Sequence, residues 1–260
     1  MRQVPTAQEL ARDLLAAERD GKPLAPFTDA HPGLDLATAY EAQWLVVADR
    51  LERGERLIGA KLGLTSRAKQ EAMGVAEPLY GWLTSGLLVD AGAPLDLGRL
   101  IHPRAEPEIA FLLGRDLEAP ASVTSVLAAT EGVLAALEIL DSRYEGFRFR
   151  LPDVVADNAS AAGVVLGPVL RPPADLPDLR LLGCVLRARG QVAATAAGAA
   201  VMGHPAAAVA WLVNRLGERG RALPAGSLVL SGGLTAPLPV HPGGVVSAEL
   251  DALGTVEVFA

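Results

Sequence analysis

Three acidic residues stand where apolar side chains are expected. Glu106 and Glu108 are two residues apart in Arg104–Leu113, a segment with the composition of a β-strand, so their side chains should share a face. Glu138 interrupts the apolar run Val133–Leu140, which is typical of a strand buried on both faces. Each carboxylate needs a positive partner, because burying an unpaired charge costs several kcal/mol.

A divalent cation is the simplest partner for this set. Three carboxylates without a matching cluster of cysteine or histidine suit a hard ion such as Mg²⁺ or Mn²⁺, which prefers oxygen ligands. The alternative is that Glu106 and Glu108 lie on a solvated edge while Glu138 pairs with an arginine or lysine. Lys61, which stands between two glycines in an apolar segment, is a candidate positive group. It could equally be a surface lysine whose stem covers apolar area.

Composition excludes several classes of function. The chain has 260 residues, a net charge of −7 and no basic run, which argues against a nucleic-acid-binding surface. No apolar run is long enough for a membrane helix, and the first residues lack the apolar core of a signal peptide. We therefore expect a soluble cytoplasmic protein. The single cysteine, Cys184, excludes an internal disulfide and is predicted to be buried and inert.

The elements that position these residues fall into two regions. Residues 1–56 are predicted to be α-helical, with a capping box at Thr6 and a second helix over Leu36–Leu51. Residues 57–260 are predicted to form a mainly β core. Within that core, Val75–Trp82 has the glycine, proline and aromatic content of a loop over a pocket.

Further elements are predicted around the acidic strands. Gly86–Leu97 contains a glycine and a proline and is expected to be a hairpin. Arg67–Gly74 and Pro205–Leu216 have helical patterns. The Gly-rich turn Ser231–Gly233 lacks the lysine of a phosphate-binding loop, so it indicates either a close backbone approach to a small carboxylate or a plain tight turn.

Several of these motifs, taken in chain order, resemble one family. The segments that carry the resemblance are Gly59–Ser66, Glu106–Glu108, Leu137–Glu145, Ala156–Ser160 and Ser231–Ala236. Together they resemble the 2-keto-4-pentenoate hydratase and 4-oxalocrotonate decarboxylase branch of the fumarylacetoacetate hydrolase superfamily. The resemblance implies an α+β fold, in which a mixed β-roll core carries an α-helical N-terminal region.

The resemblance also implies roles for individual residues. It implies that Mg²⁺ or Mn²⁺ is held by Glu106, Glu108 and Glu138, and that Lys61 is the catalytic lysine. The expected substrate-binding residues are Leu79, Asn158, Ser160 and Thr235. Arg143 is instead expected to form a structural ion pair with Asp141 or Asp157.

One position favours decarboxylation within this branch. Hydratases of the branch typically have an aspartate directly after the proline, whereas this chain has Leu79 after Pro78. An aliphatic residue resembles the decarboxylases, and we expect Leu79 and Trp82 to form an apolar wall. The expected reaction is therefore a lyase step of meta-cleavage degradation of aromatic compounds, in which 2-oxohex-3-enedioate (4-oxalocrotonate) loses CO₂ and gives 2-hydroxypenta-2,4-dienoate.

Three other functions stay open at this point. The nearest is hydration of 2-hydroxypenta-2,4-dienoate, and acylpyruvate hydrolysis comes after it. The remaining one is a non-catalytic partner subunit of a 2-keto-4-pentenoate hydratase complex. A complex with that hydratase is also expected for an active decarboxylase, as is a homo-oligomer.

Overall fold

The structure, a computed structural model, describes residues 4–260, which form seven α-helices and twelve β-strands. The helices are α1 (Ala7–Asp20), α2 (Phe27–Ala30), α3 (Leu36–Glu52), α4 (Arg67–Met73), α5 (Val123–Ala129), α6 (Leu151–Ala156) and α7 (Pro205–Gly217). The strands are β1 (Leu57–Gly63), β2 (Leu79–Thr84), β3 (Leu88–Val89), β4 (Arg104–Leu113), β5 (Thr130–Leu140), β6 (Ala161–Leu166), β7 (Gly183–Ala188), β8 (Gln191–Ala197), β9 (Leu228–Leu230), β10 (Leu238–Pro239), β11 (Val245–Leu250) and β12 (Gly254–Phe259).

The long N-terminal helices α1 and α3 lie where the sequence indicates, whereas the short α2 lies in a segment predicted to be a loop, Pro23–Pro32. Thr6 and Glu9 form the predicted capping box of α1, and Gly21 ends the helix in the left-handed conformation. Leu10 and Leu14 lie one turn apart and are completely or almost completely buried. They belong to an apolar cluster that joins α1 and α3 to α6, so the helical region packs onto the β core.

Two sheets form the core. The larger is mixed and has eight strands in the order β2-β1-β9-β4-β5-β6-β3, with β10 added to β4. The smaller has the order β12-β11-β7-β8. Apolar side chains from β4 and β5 pack with those of β7, β11, β12 and α7 in one large cluster, which includes the buried Cys184. This is the predicted α+β architecture, with the mixed sheet curled into a half-barrel.

The register of β4 against β5 places the acids. Both strands are predicted from the sequence, and in the structure they pair in antiparallel orientation so that Glu106 lies directly opposite Glu138. Glu108 lies two residues further along β4, opposite Ala136. Like charges that face each other across a strand pair destabilise it, so the register itself demands a compensating cation.

Two local predictions are wrong. The predicted loop Val75–Trp82 ends early, because Leu79 already begins β2, a strand whose six residues are all buried. The predicted hairpin over Gly86–Leu97 is absent, since β3 pairs in parallel with β6 instead of with its neighbour in sequence. Both strands are defined by partners that are distant in sequence, β1 for β2 and β6 for β3, and local turn signals carry no information on such partners.

The division at residue 56 stays a prediction. The first strand begins at Leu57, and α1, α2 and α3 all precede it. However, α3 packs against β2 and α6, so the two parts share apolar contacts. In residues 4–260, no helix combines the length and the apolar character needed to cross a bilayer.

Candidate metal centre and adjoining cavity

The side chains of Glu106, Glu108 and Glu138 come together in the protein interior. One carboxylate oxygen from each lies within 4.8 Å of the other two. Glu106 is 5% exposed, and Glu108 and Glu138 are completely buried. The solvated edge considered as an alternative for Glu106 and Glu108 is therefore excluded.

The carboxylates lack partners for several oxygens. Oε2 of Glu108 accepts a 2.6 Å hydrogen bond from the backbone N–H of Gly232, but its Oε1 has no hydrogen-bond partner. Neither oxygen of Glu138 is hydrogen-bonded. Burial raises the pKa of Glu138 from its ordinary 4.5 to about 7, against the opposing effect of Lys61. Burial and the negative charges of Glu138 and Glu106 raise the pKa of Glu108 well above its usual range.

Lys61 reaches this cluster from β1. Its Nζ lies 3.0 Å from Oε2 of Glu138, an ion-pair distance without hydrogen-bonding geometry, and the residue is 2% exposed. Two strands lie between β1 and β5 in the sheet order, so the curl of the half-barrel brings these side chains together. The alternative of a surface lysine is excluded by this burial.

Lys61 also contacts a turn whose residues have left-handed backbone conformations. Its Nζ donates a 3.1 Å hydrogen bond to the carbonyl oxygen of Ala159. Asn158, Ala159 and Ser160 all have φ between +48° and +58°. Non-glycine residues in this conformation cost roughly 1–2 kcal/mol each, and such strain is concentrated at functional sites. The strained turn therefore positions a backbone acceptor beside the lysine.

Lys69 is a second cation at the cluster, and sequence reasoning missed it. It lies on α4, and its Nζ is 2.9 Å from Oε2 of Glu106. Burial lowers the pKa of Lys69, but Glu106, Glu108 and Glu138 together outweigh this effect and raise it. The helix α4 was predicted, and Ser66 caps it. No periodicity along α4 indicates that one lysine turns towards β4.

The Gly-rich turn after β9 touches the acids through its backbone. Gly232 has φ +110°, and a Cβ on Gly233 would lie 2.1 Å from Oε2 of Glu106. Only glycine allows this approach. The sequence left open an approach to a small carboxylate or a plain tight turn, and in the structure the turn approaches the protein's own Glu106 and Glu108.

A cavity of about 260 Å³ adjoins the cluster. Glu106 and Lys61 lie in its wall, and Leu79 and Ser160 also line it. The remaining lining is mostly apolar and includes Leu64, Met73, Leu140, Phe149, Val154 and Pro237. Such a lining offers few polar contacts beyond the acids and the cations.

Asn158 and Thr235, two of the expected substrate-binding residues, form hydrogen bonds with the protein backbone. Asn158 Oδ1 accepts from the backbone N–H of Trp82 at 2.8 Å, and its Nδ2 donates to the Trp82 carbonyl at 2.9 Å. Its amide therefore holds the strained turn against β2, and Asn158 does not line the cavity. A substrate contact of Asn158 stays a prediction. Thr235 donates to the carbonyl of Ala236 and does not line the cavity. A substrate contact of Thr235 stays a prediction.

The expected wall of Leu79 and Trp82 is only half present. Leu79 lines the cavity, but Trp82 packs on the other side of the strand, edge-on against Trp44 and Tyr80. The reason is the period of a strand, in which residues three apart point to opposite faces. Because this segment was predicted to be a loop, the alternation of side chains between two faces was not expected.

Arg143 forms the structural ion pair expected of it. Its Nε pairs with Oδ1 of Asp157, and its backbone N–H donates to Oδ2 of the same carboxylate at 3.1 Å. Both Nη atoms donate to backbone carbonyls, those of Asp141, Ala161 and Asp157. Every side-chain nitrogen of Arg143 is thus hydrogen-bonded, and the residue is not part of the cavity.

The donor set fits a hard divalent cation. Three buried carboxylates supply oxygen ligands, and oxygens of Glu108 and Glu138 have no partner in the protein. Lys61 lowers the pKa values of Glu108 and Glu138, but burial outweighs its effect and both pKa values remain raised, so the ionised carboxylates need a further positive partner. Oxygen-only ligand sets of this kind suit Mg²⁺ and Mn²⁺.

The family assignment comes from comparison with known proteins. The model described as "Fumarylacetoacetate (FAA) hydrolase C-terminal" matches residues 58–258, which include the acids, Lys61 and the cavity. The chain belongs to the fumarylacetoacetate hydrolase family. This assignment confirms the family resemblance seen in the sequence motifs.

Relatives with two activities are similar over nearly the whole chain. The chain is 43% identical over 248 residues to 4-oxalocrotonate decarboxylase of Pseudomonas sp. (strain CF600), covering 95% of this chain and 94% of the relative. It is 40% identical over 248 residues to 2-hydroxyhexa-2,4-dienoate hydratase of Comamonas testosteroni, covering 94% of each. Identity alone therefore separates the two activities poorly.

A solved structure has the same fold. The 4-oxalocrotonate decarboxylase of Pseudomonas putida G7, complexed with magnesium and adipate, superposes with a TM-score of 0.93. The two chains are 38% identical, and the match covers 97% of this chain and 96% of the other. The half-barrel and the N-terminal helices are thus common to both proteins.

Proposed function

We propose that this protein is a lyase that decarboxylates 2-oxohex-3-enedioate to 2-hydroxypenta-2,4-dienoate with a divalent metal ion. The observation that carries the proposal is the cluster of three buried carboxylates, with unpartnered oxygens, at the base of a cavity with an apolar wall. The decarboxylase relatives and the magnesium and adipate complex of one of them support it. The reaction belongs to meta-cleavage degradation of aromatic compounds.

Glu106, Glu108 and Glu138 are proposed to hold Mg²⁺ or Mn²⁺. When bound there, the cation supplies Lewis-acid polarisation of a 2-oxo group. Lys69 pairs with Glu106 and so limits the negative charge of the site. The backbone N–H of Gly232 holds one oxygen of Glu108 and thereby orients the other.

The proposed reaction needs one bond to break and one proton to be gained. The bond between C5 and the leaving carboxylate breaks, and its electron pair moves through the C3–C4 double bond to the C2 oxygen. CO₂ departs, and the oxygen gains a proton to give the dienol. Lys61 is proposed to be the catalytic residue that hydrogen-bonds this oxygen, because its ammonium group is buried in the cavity wall and already faces polar atoms.

Leu79 and Ser160 are proposed to contact the substrate, since both line the cavity. Leu79 contributes apolar surface near the departing carboxylate, and an apolar environment favours the loss of charge that accompanies CO₂ release. It also supplies no group that could direct a water molecule. An aspartate is typical of the hydratases at this position, so Leu79 favours decarboxylation over hydration.

Hydration of 2-hydroxypenta-2,4-dienoate is the second candidate, because the hydratase relative is almost as similar as the decarboxylase. A non-catalytic partner subunit is disfavoured by the retained cluster of costly buried charges. We also propose that the protein forms a homo-oligomer and associates with a 2-keto-4-pentenoate hydratase. Light scattering on size-exclusion peaks of the protein, alone and mixed with such a hydratase, tests both.

The function is tested with two assays on one preparation. The first follows CO₂ release from 2-oxohex-3-enedioate with Mg²⁺, with Mn²⁺ and with EDTA. The second follows loss of 2-hydroxypenta-2,4-dienoate by hydration. We expect metal-dependent CO₂ release and no hydration, whereas hydration without CO₂ release would assign the second function.

A further inference from the structure

Arg104 places an uncompensated cation in the cavity wall. It begins β4 and lies two residues before Glu106, so both side chains are on the same face of the strand. Its guanidinium lies 3.9 Å from the ring centroid of Phe147, which also lines the cavity. None of the ion pairs found among residues 4–260 includes Arg104. The group is held by stacking, and its N–H donors are available to an anion.

The burial of the residues shows which end of the cavity lies deeper in the protein. Glu108 and Glu138 are fully buried and Glu106 nearly so, whereas Arg104 and Phe147 are only partly buried. Two residues along a strand span about 6.7 Å. That separation is comparable to the distance between the two carboxylates of an extended six-carbon diacid. A diacid with one end at the acidic cluster can therefore reach Arg104 with the other.

The charges around the cavity also match a dianion. Three carboxylates in the cluster are opposed by three cations, which are Lys61, Lys69 and Arg104. A divalent cation bound to the cluster adds two positive charges. A substrate with two carboxylates neutralises them, whereas a monoacid leaves one uncompensated in a largely apolar space.

We propose that Arg104 binds the substrate carboxylate distal to the 2-oxo group and so selects diacids over monoacids. This inference rests on the proposed decarboxylation and names the residue that recognises the leaving carboxylate. A guanidinium presents paired donors that match a carboxylate, and Phe147 limits its movement. The product has lost this carboxylate, so Arg104 distinguishes substrate from product.

The chemistry predicts how Arg104 divides its effect between binding and rate. The carboxylate loses its charge as CO₂ forms, so its interaction with Arg104 is stronger in the bound substrate than in the transition state. Such an interaction lowers KM without raising kcat. Arg104→Met should therefore raise KM and leave kcat unchanged or slightly higher.

Binding of two stable analogues tests the proposal without turnover. Calorimetry in Mg²⁺ compares 2-oxohexanedioate with 2-oxohexanoate, which lacks only the distal carboxylate. We expect Arg104→Met to weaken binding of the diacid about 10- to 100-fold, the usual range for losing a charge-assisted hydrogen bond. Binding of the monoacid should be nearly unchanged, and Arg104→Lys should give an intermediate loss for the diacid.

Matched controls separate the possible failures. Arg99→Met removes an exposed arginine outside the cavity and should change neither ligand's affinity. An unchanged Mn²⁺ affinity in Arg104→Met shows that the acidic cluster is intact. Equal affinity of that variant and the unaltered protein for the diacid would overturn the proposal, as would failure of the unaltered protein to bind the diacid. Absence of CO₂ release, with the diacid selectivity of Arg104 retained, would instead refute only the proposed reaction.

Discussion

Two groups of buried charges lie close together in this protein and are built in opposite ways. In the acidic cluster of Glu106, Glu108 and Glu138, three carboxylate oxygens have no hydrogen-bond partner. In the arginine cluster of Arg143 and Asp157, every side-chain nitrogen and both carboxylate oxygens are hydrogen-bonded. Ser160 adds a 3.2 Å hydrogen bond to Oδ2 of Asp157.

The difference separates a structural role from a binding role. Burial raises the pKa of both Glu138 and Asp157, so burial alone does not mark a functional site. A saturated cluster has no capacity left for a ligand and contributes by fixing the backbone around it. An unsaturated cluster is costly by itself and is expected to be completed by a ligand.

The largest expected effect comes from removing one acid of the acidic cluster. Glu138→Gln should abolish metal-dependent CO₂ release, because it removes a charged oxygen ligand from a site of three. It should leave the folded structure intact, because it relieves the repulsion between Glu138 and Glu106, while Lys61 keeps its hydrogen bond to Ala159 and the nearby charge of Glu108. Activity assays with circular dichroism melting check both parts, and retained activity would remove Glu138 from the site.

The opposite response is expected for the arginine cluster. Asp157→Asn leaves Arg143 buried without its counter-charge and should lower the free energy of unfolding by about 3–5 kcal/mol. Urea unfolding measures this loss. A free energy of unfolding within about 1 kcal/mol of that of the unaltered protein would show that the saturated cluster is dispensable for stability.

The next largest effect is expected from replacing Lys61, which lies beside the acidic cluster and is the proposed catalytic residue. Lys61→Met should lower kcat about 100- to 1000-fold, as is typical when a donor to a developing oxyanion is lost. The carboxylates remain, so Mn²⁺ should still bind. Steady-state kinetics at saturating metal measures the rate, and a kcat close to that of the unaltered protein would exclude the proposed role of Lys61.

The two clusters also predict a pH effect that depends on metal. The folded pKa of Glu138 is about 7, above its ordinary 4.5, so its proton stabilises the metal-free protein. That contribution is fully present below pH 4.5 and is lost as the pH rises through 7, which amounts to about 3 kcal/mol. In saturating Mn²⁺ the contribution of Glu138 should reverse, because the metal competes with the proton. The raised pKa of Asp157, about 6, contributes equally with and without metal, so the difference between the two conditions isolates Glu138. Urea unfolding at pH 5 and pH 7.5, with EDTA or Mn²⁺, checks both trends.

Much of the acidic cluster could be predicted from the sequence. Glu138 interrupts an apolar strand, and the alternation of β4 places Glu106 and Glu108 on one face. The same alternation places Arg104 on the face of Glu106 and Glu108. Its position in the cavity wall, however, is evident only from the structure. Lys69 carried no such signal, because the rotation of α4 relative to β4 depends on tertiary packing.

The wrong predictions have a common physical cause. The strand that begins at Leu79 and the short strand β3 are stabilised by non-local pairing, whereas glycine and proline only indicate where the chain turns. Asn158 was expected at the substrate because it belongs to a characteristic motif. That role stays a prediction, and the structure shows that its amide binds the backbone of Trp82, a contact that no linear pattern reveals.

Direct metal binding tests the distinction between the two clusters most simply. Electron paramagnetic resonance titration of Mn²⁺ counts the ions held by the unaltered protein, by Glu138→Gln and by Asp157→Asn, at a temperature where all three are folded. We predict one bound ion for the unaltered protein and for Asp157→Asn, and none for Glu138→Gln. Equal Mn²⁺ binding by Glu138→Gln and the unaltered protein would contradict the assignment of the acidic cluster as the metal site.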